Sequence, residues 1–73
     1  MGQRIKIYDE HKRPIGTAVY EFDEEAPLSS RTTLDGAPVH NITSAGDGWS
    51  IYWVNWRDKN TGQSYSSVYV KDE

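Results

Sequence analysis

Seventy-three residues without cysteine, and with only His11 and His40 as histidines, lack the usual disulfide or zinc staples of small domains. The formal charge of -3 and a pI near 5.2 argue against a phosphate-binding surface as the default. No apolar run suits a membrane span or signal peptide, and the lack of cysteine fits a reducing compartment, so a cytoplasmic chain is expected. Residues 1–73 read as one small β domain, near the size that buries only about 60 % of its surface on folding. Its total stability should be about 4–11 kcal/mol.

Arg4 to Tyr8 alternates, with Ile5 and Ile7 on one side and Arg4 and Lys6 on the other, which predicts a half-buried first strand. The polar stretch Asp9 to Pro14 then leads into a second apolar run, Ile15 to Phe22, so the two strands form a hairpin with a loop. Ala18, Tyr20 and Phe22 share a face of the second strand, Val19 lies opposite, and Gly16 marks a bulge or a close backbone approach.

Asp23-Glu24-Glu25-Ala26-Pro27 is the sharpest change of composition in the chain. Asp caps helices and acids suit a first turn, but Pro27 and the Ser/Thr tract that follows limit any helix to one turn. A mobile connection is expected to run as far as Asp35-Gly36. Pro38 to Thr43 predicts a short third strand, with Val39 and Asn41 on one side and His40 and Ile42 on the other. Ser44 to Gly48 then forms a turn.

Gly48 to Arg57 holds all three tryptophans. Read with a period of two, Trp49, Ile51 and Trp53 make one face and Tyr52, Val54 and Trp56 the other. Both faces are apolar, so the strand is either covered on both sides or offers aromatics to a partner. From Trp49 to Arg57 it would span about 30 Å, longer than common strands, and it is expected to bend as the shared strand of a barrel does. Asp58 to Gly62 forms a turn with Gly62 in a left-handed position. Gln63 to Val70 is the last strand, with Tyr65, Ser67 and Tyr69 on one side and Ser66, Val68 and Val70 on the other. Five short strands with one long connection predict an all-β fold: a small antiparallel meander or a partly open five-stranded barrel of the SH3-like or OB-like kind.

Candidate sites follow from these faces. Tyr52 and Trp56, with Tyr65 or Tyr69, could form a recognition platform, because Tyr and Trp are enriched in interface hot spots; the competing reading makes both faces core. Asp23, Glu24 and Glu25 could dock on a basic partner surface or simply solubilise a loop. Arg4, Lys6, Arg57 and Lys59 near aromatics are the ingredients of a single-stranded nucleic-acid surface, or else solvated strand faces.

Catalytic and metal signals are missing. His11 and His40 have no spaced partners of metal-ligand type, no glycine elbow presents a serine as nucleophile, and adjacent loop carboxylates are not held across a substrate. No cofactor is expected. The Asn41-Ile42-Thr43 sequon has meaning only in a secreted chain. The leading expectation is a non-enzymatic module that binds a larger host or cellular protein, such as a small phage-type inhibitor or modulator of RNA polymerase, a nuclease or a defence complex. A nucleic-acid-binding barrel and a self-associating structural or assembly subunit are the alternatives.

Overall fold

The computed structural model describes residues 2–73. It contains β1 (Gln3–Tyr8), β2 (Pro14–Phe22), a 3-10 turn (Leu28–Ser30), β3 (Thr32–Leu34), β4 (Ala37–Gly46), β5 (Trp49–Val54), β6 (Trp56–Arg57), β7 (Ser64–Tyr65) and β8 (Val68–Lys71). The fold is all-β. Six strands close an antiparallel barrel in the order β1-β2-β3-β4-β5-β8, while β6 and β7 form a two-stranded ribbon beside it. The barrel is closed, where the strand pattern allowed one that stayed partly open, and it is larger by one strand than the five expected.

The tryptophan stretch bends as its length requires. Pairing breaks at Asn55, so β5 serves the barrel and β6 the ribbon, where Trp56 faces Tyr65. Tyr52, Val54 and Trp56 keep their common parity and all turn inward. The core comprises Ile7, Ala18, Leu34, Val39, Val54, Trp56 and Val68, with Ile5, Tyr20, Tyr52 and Val70 among the residues packed against it. Ile7, Leu34, Val54 and Val68 have no exposed surface at all.

Bulges adjust the register. β1 and β2 pair from Gln3↔Tyr20 to Ile7↔Gly16 and then step to Tyr8↔Pro14, which leaves Ile15 without a direct partner. Gly16 sits at this bulge and also meets Trp56: a Cβ there would stand 3.3 Å from the indole ring. Both expectations for Gly16 therefore hold. In β4 the register moves from Val39↔Val54 to Asn41↔Trp53, so two residues oppose one. The bulge inverts the parity expected for this strand: Val39 and Ile42, and not Val39 and Asn41, lie on the side of the inward-facing Val54 and Tyr52.

Three further expectations are corrected. The connection after β2 ends at Arg31, because Thr32–Leu34 pairs with β2 as a sixth barrel strand and buries Leu34 completely. Within the connection, the Asp23 N–H donates to the Arg31 carbonyl and the Arg31 guanidinium donates to the Ala26 carbonyl, around the single helical turn expected there. Phe22 does not join Ala18 in the core and is 52 % exposed. It stands opposite Thr32, past the point where β1 ends its pairing at Gln3↔Tyr20, so among the described residues no strand covers its other flank. The last strand is split at Ser66 and Ser67 into β7 and β8, which sends Tyr65 toward Trp56 and Tyr69 to the outside of the barrel.

Candidate interaction face

With the even side of β5 in the core, its odd side looks outward. Trp49, Ile51 and Trp53 follow one another along this side and meet different fates. Trp49 is covered from without: Tyr8 packs edge-on at 4.9 Å between centroids, and the ammonium groups of Lys12 and Lys71 stand 5.6 and 5.4 Å from the ring centre. Only 9 % of Trp49 is exposed although it lies outside the main core.

Lys12 reaches that ring because the β1–β2 loop is tightly wound. Its backbone adopts a left-handed φ of 62°, and the Asp9 carboxylate accepts the N–H groups of His11 (2.8 Å) and Arg13 (2.9 Å) and the Arg13 guanidinium (3.3 Å). The Arg13 N–H is the chief reason that the Asp9 carboxyl titrates below its usual range, with help from the His11 N–H and the Arg13 charge against an opposing desolvation.

Ile51 and Trp53 have no such cover. Trp53 is 43 % exposed, and its indole N–H donates to the Thr43 hydroxyl at 3.0 Å, which fixes the ring on the neighbouring strand. Tyr69 pairs with Ile51 in the ladder and joins them on the same side. Together these three floor a groove of about 750 Å³ walled by the Asp9 to Arg13 loop and by the Gln63 to Ser67 segment. The surface is aromatic and aliphatic with hydroxyls at its border, which suits contact with another macromolecule.

The platform built from Tyr52, Trp56 and Tyr65 is therefore corrected. Trp56 is 3 % exposed, and its indole N–H donates to Asp35 at 2.8 Å. Tyr65 lies tilted against it with centroids 5.9 Å apart. Tyr52 is half-buried on the inner side, edge-on to Tyr20 at 6.2 Å, and desolvation, followed by Tyr20 and Asp72, pushes its hydroxyl above the usual tyrosine range. Closure of the barrel encloses that side of β5, which a single strand's pattern does not reveal. Of the four aromatics named from sequence, Tyr69 lies on the outward face and Tyr65, packed against Trp56, also borders the groove.

Asp23, Glu24 and Glu25 are exposed on the connection between β2 and β3 and do not line the groove. Arg4 and Lys6 project from β1, while Arg57 donates to the Gly62 carbonyl and Lys59 sits in the turn after β6. Arg4 and Lys59 border one shallow cavity, but Asp35 and Asp58 border it too and offset their charge. Sequence reasoning passed over Trp53, Ile51 and Tyr8 as site residues, although the period of two had already put Trp53 and Ile51 on the face opposite Trp56.

Among the described residues no cluster of three His, Cys, Asp or Glu is placed to hold a metal ion, and no helix is long and apolar enough to cross a membrane. Compared with protein-family models, with curated proteins and with solved structures, the chain matches none.

Proposed function

We propose that this chain is a non-enzymatic interaction module that binds a larger protein through the outward face of β5. The observation that carries the reading is Trp53: a large aromatic, oriented by Thr43, left 43 % exposed beside Ile51 and Tyr69 in a chain whose other two tryptophans are buried. A ring already held in one orientation loses little freedom on binding, so it suits an anchor. The groove walls carry both signs, Asp9 and Glu10 against Arg13, which favours a protein surface over a phosphate backbone. Small size and net acidity fit a modulator that covers a working surface of a larger machine, including the host complexes a phage-type inhibitor would target.

Trp53→Ala and Trp56→Ala separate interface from core. Trp53→Ala should stay folded by circular dichroism yet weaken partner binding at least thirtyfold, the ~2 kcal/mol of a hot spot. Trp56→Ala should unfold or nearly unfold the chain, at about 3–5 kcal/mol. The partner is isolated with the tagged wild-type chain, with and without nuclease, and its affinity for each variant is then measured. A protein partner that survives nuclease and is lost with Trp53→Ala supports the module. Retention of the partner by Trp53→Ala overturns the reading, as does recovery of nucleic acid alone or of the chain alone.

A further inference from the structure

The barrel has a weak seam. β1 pairs with β2 along its whole length and β8 pairs with β5 along its whole length, but β1 and β8 meet at one pair, Tyr8↔Tyr69. Continuing that antiparallel register would set Ile7 opposite Val70 and Lys6 opposite Lys71. Like charges directly opposite each other on neighbouring strands are destabilising, and the ladder ends at Tyr8↔Tyr69, before the two lysines would meet. Beyond Tyr8↔Tyr69 the edge of β1 that faces β8 has no strand partner among the described residues.

The opening gives onto the inner side of the barrel through a groove of about 530 Å³. Its floor is apolar and aromatic, with Ile5, Val70 and the edge-on pair Tyr20 and Tyr52. Its rim carries Arg4, Lys6 and Lys71. Asp72 and Glu73 border it too, the Asp72 carboxylate already accepting the Ser50 hydroxyl at 2.6 Å, so the three cations outnumber the two acids.

We propose that this seam is a second docking site, which accepts an extended segment of a partner protein whose side chains alternate apolar and acidic. Three features select that occupant. The free edge of β1 offers main-chain hydrogen bonds, as in strand addition to a sheet. The period of two in an extended segment sends one set of side chains down onto Tyr20, Tyr52 and Ile5 and the other set up to the rim. An outward carboxylate beside Lys6 and Lys71 relieves the repulsion that keeps the seam open. The site is independent of the Trp53 groove, since the Tyr8 and Tyr69 pair stands between them.

The test uses a fluorescein-labelled peptide, Ser-Val-Glu-Val-Glu-Val-Ser, its counterpart with Lys for Glu, and a labelled oligothymidylate, each titrated against the full chain by anisotropy and by amide chemical shift. The acidic peptide should bind saturably, at least tenfold tighter than the basic one, with shifts centred on residues 3–7 and 70–72. Lys6→Glu with Lys71→Glu should reverse that preference, and Trp53→Ala should leave it unchanged. Equal binding of the two peptides, absence of saturable binding, shifts centred elsewhere, or preferential binding of oligothymidylate at the same amides would each overturn the proposal. In the free chain, half of the β1 amides, those facing the seam, should exchange with solvent faster than their β2-facing neighbours; uniform protection would also count against it.

Discussion

Asp35 ties together three parts of the chain that are far apart in sequence. Its N–H donates to the Val19 carbonyl and its carboxylate accepts the Val19 N–H, which fastens the β3–β4 turn to β2. The second carboxylate oxygen accepts the indole N–H of Trp56, the one polar group that this core tryptophan must satisfy. Asp35→Ala removes both acceptors and strands a buried donor, a loss of about 1–3 kcal/mol for the indole alone. Against a total of about 4–11 kcal/mol, the urea midpoint should fall by a large fraction. Asp35→Asn should cost less, because asparagine tolerates the left-handed φ of 49° and keeps one oxygen for one of the two donors. Equal midpoints for Asp35→Ala and the wild type would show that the Trp56 contact contributes nothing. The sequence shows Asp35 as a turn residue and no more, since its partners lie 16 and 21 positions away.

Hairpins on either side of β4 use the same device. Asp35-Gly36 joins β3 to β4 with φ of 49° and 82°, and Asp47-Gly48 joins β4 to β5 with φ of 54° and 83°. Two consecutive left-handed residues form the turn whose twist matches that of paired strands. Nothing lies within 4 Å of a Cβ built on Gly36 or on Gly48. Any loss in Gly36→Ala or Gly48→Ala therefore comes from backbone conformation, about 1–2 kcal/mol, and Asn at either position should restore part of it. Chemical denaturation of the Ala and Asn variants checks this, and a neutral Ala variant would refute it. The Asp-Gly signal at 35–36 was present in the sequence, yet the strand before it is Thr-Thr-Leu, too short to show alternation, so the run reads as loop and Leu34 is missed as core. For β5 the two faces were fully legible. Which of them is enclosed was not, because Val68, Ala18 and Leu34 decide it from elsewhere in the chain, and only closure of the barrel brings them to Val54 and Trp56.

On the scale of the whole molecule, two titrations at different places along β1 and its neighbours contribute to the pH dependence of stability with opposite signs. Asp9 titrates below its ordinary value when folded, so the stability it lends to the β1–β2 loop is present above that value and is lost as the pH falls below about 4. Being exposed, it should give only a shallow acid limb. Tyr52 titrates above its ordinary value, because its phenolate would form half-buried beside Tyr20 and Asp72. Its contribution is complete below about pH 10 and is lost as the pH rises through the elevated folded value. Thermal midpoints measured from pH 3 to 12 should therefore decline at both ends. Asp9→Asn should flatten the acid limb and leave the alkaline one, and Tyr52→Phe should do the reverse, since phenylalanine keeps the ring against Tyr20 without a proton to lose. Because Tyr52 also floors the seam, its phenolate would add negative charge where an acidic segment is proposed to lie, so binding of the acidic peptide should weaken over the same alkaline interval. Loss of peptide binding in wild type but not in Tyr52→Phe would tie the two effects to one hydroxyl; parallel loss in both would show that Tyr52 is not the group responsible.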